Sequence, residues 1–362
     1  MSTRILFIMK RKDLYNGEYS HHGHHGGHGH GGDRFVSTVS TGLLNSITQM
    51  DTALNGAGYN VKSVVVNDNN DIDREVTSFR PDIVIIEALW VVPTKFEVLK
   101  RLHPRVKWVV RLHSAIPFLQ NEGIAIDWIV QYMLWPNVYV SCNDIRTLRS
   151  LQGYLPLFRD KFFYQPNVCE EPFSEYISNG SWDKHIDIGC FGSTRPLKNQ
   201  LMQALAAIRF ADELGKSLRF HINGSSRVEQ LGAPVLRNLI ALFEWSGRHR
   251  LIEHPWLEHE DFVDLCATMG LGMQVSLSET FNFVSVDLVA SGVPVVTSPE
   301  ITWTPRTLKA DPTNEDEIVA ALWRAYRHPV AYVKRARRNL DALSRANLGA
   351  WLRSIEELED NR

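Results

Sequence analysis

Two carboxylates, Glu279 and Asp287, lie eight residues apart in a stretch whose composition suggests chemistry. Glu279 is in a polar turn that follows the apolar run Leu271–Leu277, and Asp287 is in the helix predicted to begin near Phe283. A helix N-terminus presents free N–H groups and the positive end of the helix dipole, which favours a bound phosphate or pyrophosphate. The spacing therefore predicts an anion site with one carboxylate in the turn and another on the second helical turn.

His113 is the second residue that could do chemistry. It follows the predicted strand Lys107–Leu112 directly. Open α/β sheets bind ligands outside the carboxyl ends of their strands, so we expect His113 to face a ligand cleft. Arg111 alternates with Leu112 on this strand, and we interpret it as paired within the fold.

A low-complexity loop at residues 20–32 holds six of the fourteen histidines of the chain. Neutral imidazoles are good ligands for zinc, nickel and copper. A glycine-spaced repeat lacks the fixed geometry of a metal site, so we interpret the loop as a flexible insertion and predict no catalytic metal. Gly31 and Gly32, between the first strand and a helix, are predicted to let the backbone approach a ligand closely.

The elements that must position these residues alternate between strands and helices, which predicts a doubly wound α/β fold. The predicted strands are Arg4–Met9, Val61–Val66, Pro81–Ile86, Lys107–Leu112, Val138–Ser141, Phe162–Val168, Ile186–Phe191, Leu218–Ile222 and the run Leu271–Leu277. The predicted helices are Phe35–Leu54, Thr94–Leu102, Asp261–Met269, Asn314–Tyr326 and Val330–Glu359.

The chain has 362 residues, which suits two domains better than one. We predict a first Rossmann-like domain over 1–168, a polar linker over 169–183 and a second Rossmann-like domain over 184–335. The last helix, 336–362, is expected to return to the first domain.

Composition narrows the class of protein. The formal net charge is −2, so no global field requires nucleic acid or membrane as a partner. No apolar run reaches the length of a membrane-spanning helix, and Ile5–Met9 is too short for a signal peptide, so we expect a cytoplasmic protein. The four cysteines form no C-x-x-C pair, which indicates reduced thiols.

The stretch from Glu279 to Val296 resembles the acidic motif of retaining, nucleotide-sugar-dependent glycosyltransferases with the GT-B architecture (family 4 and relatives). That motif has two Glu eight positions apart, with Gly-Phe-Gly after the first, and then Ala-x-x-x-Gly-x-Pro-Val-Val. Here Thr280 and Asn282 replace the two glycines and Asp287 replaces the second Glu. The resemblance implies that Glu279 contacts the donor sugar and Asp287 the ribose.

Other segments resemble the same family in the same order. Gly192, Pro196, Lys198 and Asn199 match its diphosphate loop, with Ser193 where an Arg is expected and Arg195 as the substitute. The resemblance implies that Lys198, Glu279 and His113 are the catalytic residues. The implied donor-binding residues are Gly31, Gly32, Gly192, Arg195, Lys198, Asn223, Gly224, Trp256, Thr280, Phe281, Asn282 and Asp287.

The implied reaction moves a sugar from a nucleotide diphosphate, with UDP-sugars favoured, to an acceptor hydroxyl with retention of configuration. The resemblance implies that Lys198, Arg195 and the helix dipole balance the negative charge of the departing diphosphate, so no cofactor or metal is expected. Trp256 has two open interpretations, a core residue or a base-binding residue.

The acceptor is left open by the sequence. Segments such as 87–93 and 103–114 look similar to glycosyltransferases of large tailed bacteriophages, which implies the hydroxymethyl group of a modified pyrimidine in double-stranded DNA, in a host cytoplasm. A duplex base must be flipped into the cleft, with basic groups on its rim. The predicted DNA phosphate contacts are Arg146, Arg149, Arg159 and Lys161. The alternatives are a polysaccharide or small-molecule acceptor, or a non-catalytic protein that binds nucleotide sugars.

Overall fold

A computed structural model describes residues 2–11, 41–170, 172–178, 184–224, 228–229 and 231–360. The histidine-rich loop 20–32, with the predicted donor-binding residues Gly31 and Gly32, lies outside this described part. So do residues 35–40 of the first predicted helix and residues 171 and 179–183 of the predicted linker.

The first half of the chain forms a parallel six-stranded sheet in the order β2-β1-β3-β4-β5-β6. Its strands are β1 (Arg4–Lys10), β2 (Asn60–Val66), β3 (Ile83–Glu87), β4 (Lys107–Leu112), β5 (Val138–Cys142) and β6 (Phe162–Tyr164). Its helices are α1 (Thr41–Gly56), α2 (Asp71–Phe79), α3 (Lys95–Leu102), α4 (Ile116–Leu119), α5 (Ala125–Leu134) and α6 (Ile145–Tyr154). A 3-10 helix, Pro156–Lys161, precedes β6.

The second half forms a parallel five-stranded sheet in the order β11-β10-β7-β8-β9. Its strands are β7 (His185–Gly189), β8 (Ser217–Ile222), β9 (Arg250–Glu253), β10 (Leu271–Gln274) and β11 (Val295–Thr297). Its helices are α7 (Gln200–Glu213), α8 (Gly232–Ser246), α9 (His259–Ala267), α10 (Phe283–Ala290), α11 (Glu315–Arg327) and α12 (Pro329–Asp360). Short 3-10 helices occupy Pro196–Lys198 and Arg306–Leu308.

Continuous apolar runs form the central strands because helices cover both faces of each sheet. Every residue of β3, β4 and β5 is buried. Parallel register aligns their carboxyl ends, and Glu87 at the end of β3 is the neighbour of Arg111 in β4. The sheet therefore gathers the residues that end these strands at one edge.

Helix α12 packs against both halves of the molecule. Ala336 and Leu340 join an apolar cluster with residues of α10 and β11. Further along, Trp351, Ile355 and Leu358 join the cluster that covers the first sheet. One continuous helix therefore connects the second core to the first.

Several predicted element bounds were wrong. The predicted strand Phe162–Val168 ends at Tyr164 as β6, because Pro166 has no N–H to donate to a neighbouring strand. Strand β10 ends at Gln274 rather than continuing to Leu277, because the amide of Val275 donates to the side chain of Gln203 instead of the sheet. Helices α2, α4, α5, α6, α7 and α8 were not predicted from the sequence.

Candidate functional site

A cleft of about 520 Å³ lies where the carboxyl ends of both sheets meet. His113 and Asn143 line it from the first half of the chain, and Lys198, Glu279 and Asp287 line it from the second. Most of the catalytic and donor-binding residues that the sequence predicted are therefore in one cavity. Phe281 and Gly224 are exceptions, because neither lines the cleft. The side chain of Phe281 is buried in an apolar cluster and its carbonyl accepts from the Trp303 indole. The Gly224 carbonyl accepts from Thr194 Oγ1 at 3.3 Å.

The turn before α10 is built around Asn282. Its backbone is left-handed, with φ 61°, a conformation that glycine and asparagine tolerate best. Its side chain accepts from the Ser285 amide at 2.8 Å and donates to Gln274 Oε1 at 3.0 Å. Asn282 therefore serves as the N-cap and replaces the family's glycine without strain.

Glu279 and Lys198 form an ion pair at the floor of the cleft. Their side chains are 9% and 11% exposed, so both groups reach the cavity while the protein screens them from bulk water. Burial raises the pKa of Glu279, but the nearby Lys198 and Arg195 outweigh it, and the pKa lies below its ordinary value. The carboxylate is therefore ionised at neutral pH.

The loop that carries Lys198 starts at Gly192, whose φ of 109° favours glycine. The Gly192 amide donates to Asn223 Oδ1 at 2.8 Å, and Asn223 Nδ2 reaches the Pro255 carbonyl at 3.5 Å. Three neighbouring loops are thereby tied together beneath the cavity. Trp256, in the third loop, is half-buried and lines the cleft.

Arg195 reaches across the cleft. Its guanidinium carbon is 4.7 Å from the ring centroid of Phe118 on α4, and its Nη1 is 3.9 Å from a Glu229 carboxyl oxygen. Within the described part of the chain, its buried Nε has no hydrogen-bond partner.

Asp287 is accompanied by a residue that the sequence analysis missed. His259, the first residue of α9, places Nε2 at 3.1 Å from Asp287 Oδ1, and both line the cleft. The signal in the sequence was a histidine between the loop around Trp256 and the helix that follows.

On the opposite wall, Glu87, Arg111 and His113 form a buried charge network, here called the Arg111 network. Glu87 and Arg111 are both 0% exposed, and Arg111 Nη1 lies 3.2 and 3.3 Å from the two Glu87 oxygens. His113 Nε2 makes a short contact with the same carboxylate. Arg111 is therefore paired within the fold, as the sequence analysis interpreted it.

The Arg111 network is anchored by distant parts of the chain. Arg111 donates to the Gln165 carbonyl at 2.9 Å, to Ser46 Oγ at 3.1 Å and to Asn167 Oδ1 at 2.5 Å. Its guanidinium also lies 5.0 Å from the Trp351 ring. Glu87 was not predicted from the sequence, although a carboxylate that ends a buried strand at the ligand edge was a usable signal.

The charges of the Arg111 network are defined at neutral pH. Burial raises the pKa of Glu87, but Arg111 and His113 outweigh it and the pKa is lowered. Burial, aided by Arg111, holds the pKa of His113 below its ordinary value although Glu87 acts in the opposite direction. The network therefore contains an ionised carboxylate, a guanidinium and a neutral imidazole.

The two halves of the chain touch directly at the cleft. Asn143 Nδ2 donates to Thr280 Oγ1 at 3.2 Å. Arg146, in the first turn of α6, donates to the Glu279 carbonyl at 3.2 Å and pairs with Glu300 at 3.1 Å. Arg146 thus connects α6 to the turn that carries Glu279, whereas the sequence suggested a contact with DNA phosphate.

The other predicted DNA contacts are spread over the surface of the first half. Arg149 is exposed one turn beyond Arg146 on α6. Arg159 and Lys161 precede β6, at the amino edge of the sheet and opposite to the cleft. Lys161 Nζ donates to the Met133 and Trp135 carbonyls at 2.7 Å each. The structure therefore does not bring these two residues to the cleft.

Within the described residues, no group of three or more His, Cys, Asp or Glu side chains is arranged to hold a metal ion. No helix in the same part of the chain is both long and apolar enough to cross a bilayer. The four cysteines are all free.

No protein-family model matches the sequence, and no curated protein matches it either. Solved structures do match. A UDP-forming α,α-trehalose-phosphate synthase from Burkholderia xenovorans has TM-score 0.59 and 13% identity, covering 80% of this chain and 77% of that one. Sucrose-phosphate synthase from Thermosynechococcus elongatus has TM-score 0.63 and 13% identity, covering 99% and 100%.

A structure described as trehalose-6-phosphate from E. coli bound with UDP-2-fluoro glucose has TM-score 0.64 and 11% identity, covering 98% of this chain and 99% of that one. Similarity at this level of identity establishes the fold. The two parallel sheets with helices on both faces agree with it. The chain has the GT-B fold, with two Rossmann-like domains that face each other across a cleft.

Proposed function

We propose that the protein is a retaining glycosyltransferase that moves a sugar from a nucleotide diphosphate to an acceptor hydroxyl. The observation that carries this proposal is the Glu279–Lys198 pair beside the start of α10, opposite His113 across one cleft. A diphosphate needs cations and free N–H groups, and a sugar needs polar side chains close by. The cleft offers both within one cavity.

A UDP-sugar is the donor that we propose. The comparison structures support it by their descriptions, which name a UDP-forming synthase and a bound UDP-2-fluoro glucose. In this chain, Trp256 would contact the base, Asp287 with His259 the ribose, and Lys198 with Arg195 the diphosphate. Phosphate binding would release Lys198 from Glu279, leaving the carboxylate to contact the sugar.

The proposed chemistry takes place on one face of the sugar. The bond from the anomeric carbon to the diphosphate breaks, and a bond to the acceptor oxygen forms on the same face. The acceptor proton passes to the departing diphosphate oxygen. Lys198, Arg195 and the first amides of α10 stabilise the negative charge, and this electrostatic effect is commonly the largest single term in such reactions.

The acceptor that we propose is the hydroxymethyl group of a modified pyrimidine in DNA. Trp90 and Phe118 support it, because both are half-buried and line the first-half wall of the cleft, where a flipped base could stack. The exposed Arg149 offers a phosphate contact near the rim, whereas Arg159 and Lys161 give the proposal no support from their positions.

The test is release of nucleotide from UDP-, GDP- and ADP-sugars, with and without DNA that contains 5-hydroxymethylcytosine or 5-hydroxymethyluracil. We expect UDP release that depends on such DNA and is lost in Glu279→Ala. Glu244→Ala, at an exposed position of α8, is the matched control and is expected to behave like wild type.

Other results would redirect the proposal. Release that depends on a saccharide or a small molecule, but not on DNA, would reject the DNA acceptor and keep the transferase. Donor binding without release for any acceptor would favour a non-catalytic binding protein. A protein that binds no nucleotide sugar would contradict the proposal as a whole.

A further inference from the structure

We propose that Glu87 is a positioning residue, which holds His113 as the Nε2–H tautomer so that Nδ1 accepts a hydrogen bond from a substrate hydroxyl. The substrate hydroxyl in this inference rests on the proposed function, whereas the tautomer of His113 rests on the geometry of the Arg111 network. The acceptor atom on His113 is the new assignment. Glu87 itself touches no substrate in this account.

The tautomer follows from the contacts of Glu87. The ionised carboxylate only accepts hydrogen bonds, so both of its close neighbours must donate to it. Arg111 Nη1 donates from one side, and His113 Nε2 must carry a proton on the other. The neutral ring then has its lone pair on Nδ1. Nδ1 has no hydrogen-bond partner within the described residues, and His113 lines the cleft.

Glu87 is rigid enough for this role. The residue after it, Ala88, has a left-handed backbone with φ 71°, and its amide donates to the Arg111 carbonyl at 2.9 Å. The Glu87 carbonyl accepts from the Trp90 indole at 2.9 Å. Strained backbone that surrounding contacts hold in place is typical of functional sites. The carboxylate is therefore fixed by its backbone as well as by Arg111.

Glu87→Gln is expected to reverse the tautomer. The amide oxygen would turn to the Arg111 guanidinium, which can only donate, and the amide N–H would face His113 Nε2. Nε2 must then accept, and the proton moves to Nδ1. In wild type Nδ1 accepts from the substrate hydroxyl, whereas a protonated Nδ1 in the variant can no longer accept from it, although the charge on Glu87 is all that was removed.

The primary measurement is ¹⁵N NMR of ring nitrogens in histidine-labelled protein, with His113 identified by loss of its signals in His113→Gln. His249 is an internal reference. The Leu218 amide donates to its Nδ1 at 3.0 Å, and its Nε2 lies 3.2 Å from Asp212, so it is also an Nε2–H tautomer. In wild type both rings should show the Nε2–H pattern, and only His113 should change in Glu87→Gln.

The second measurement is kinetic. Loss of a hydrogen bond to a defined acceptor should lower kcat/KM by roughly 10- to 100-fold in Glu87→Gln. Calorimetry with UDP and a UDP-sugar locates the hydroxyl: weaker binding of the UDP-sugar alone indicates the donor sugar, and a raised KM for the acceptor alone indicates the acceptor. Glu87→Asp keeps the charge opposite Arg111 and serves if Glu87→Gln fails to fold. It should retain the Nε2–H tautomer and lose less activity.

An unchanged His113 tautomer in Glu87→Gln would overturn the proposal, and so would a changed tautomer with unchanged kcat/KM. A wild-type protein that binds no nucleotide sugar would contradict the proposed function instead. The tautomer comparison would still decide, in that case, whether Glu87 positions His113.

Discussion

The two walls of the cleft hold their charges in different ways. On the second-half wall, Lys198 and Glu279 are bonded mainly to each other and open to the cavity, so a ligand can take the place of either partner. On the first-half wall, Glu87 and Arg111 have no exposure, and Arg111 is fixed by Ser46, Gln165 and Asn167. The first pair suits exchange with a charged substrate, and the second suits permanent orientation of His113.

This difference separates binding from positioning within one site. An ion pair that exchanges one partner for a ligand must remain close to solvent. During the exchange each ion is briefly without a partner, and a fully buried ion without a partner is strongly destabilised. A positioning network has the opposite requirement, because any motion of Glu87 would be transmitted to the histidine. Substitutions of the buried pair on the first-half wall should therefore lower mainly the free energy of unfolding. Substitutions of the ion pair on the second-half wall should lower mainly the rate.

The largest expected effect is on stability. Arg111→Met leaves the Glu87 carboxylate buried without its main partner, and removal of one member of a buried pair costs about 3–5 kcal/mol in the free energy of unfolding. Protonation of Glu87 relieves this cost, so the deficit should shrink as pH falls. Urea unfolding of wild type and variant at several pH values measures it.

Arg219→Met is the matched control for that prediction. Arg219 bonds Asp187 at 2.6 and 2.7 Å, but its side chain is 43% exposed, so we expect a cost of about 1 kcal/mol or less. Equal losses in the two variants would mean that the Arg111 network is no more fixed than a surface pair.

A smaller effect on stability but a large effect on rate is expected on the other wall. Lys198→Ala removes the cation that we propose stabilises the leaving diphosphate, which should lower kcat by about 100- to 1,000-fold. The free energy of unfolding should fall by less than in Arg111→Met, because Glu279 lines the cavity and keeps Arg195 nearby, whereas Glu87 has no exposure. Single-turnover rates together with thermal unfolding test the pair of expectations. A variant that loses stability in proportion to activity would remove the contrast between the walls.

The smallest expected effect is on pH dependence. The lowered pKa of His113 means that the unfolded chain binds a proton more readily than the folded protein, starting near the ordinary value of about 6.5. This contribution to stability is present above pH 6.5 and is lost as pH falls through the folded pKa. Unfolding free energies measured between pH 7.5 and 5 should therefore decline more steeply for wild type than for His113→Gln. Parallel curves would show that the ring titrates normally.

Much of the fold was predictable from local sequence. Buried apolar runs such as β3 and β4 are fully covered strands in a parallel sheet, and their pattern reports this directly. The turn before α10 was also predictable from local sequence, because Asn282 caps α10 through Ser285, three residues away. The positive φ at Gly192 is likewise a property of one residue. The positions of Glu279, Lys198 and Asp287 along one cleft were predictable for this reason.

The remainder depended on contacts between distant residues. Arg111 is bonded to residues 24, 54 and 65 positions away, and Glu87 has a role only because parallel register places β3 beside β4. His259 meets Asp287 across 28 positions. Arg159 and Lys161 were expected at the cleft rim, but the strand that follows them carries them to the opposite edge of the sheet.

The sequence by itself therefore determined the order of the elements and the turn before α10, because hydrophobic period and backbone preference act over a few residues. Only the tertiary structure decided which buried charges meet and which nitrogen of His113 is protonated. Those outcomes depend on desolvation and on distances between groups far apart in the chain, and neither quantity is encoded in any single stretch of residues.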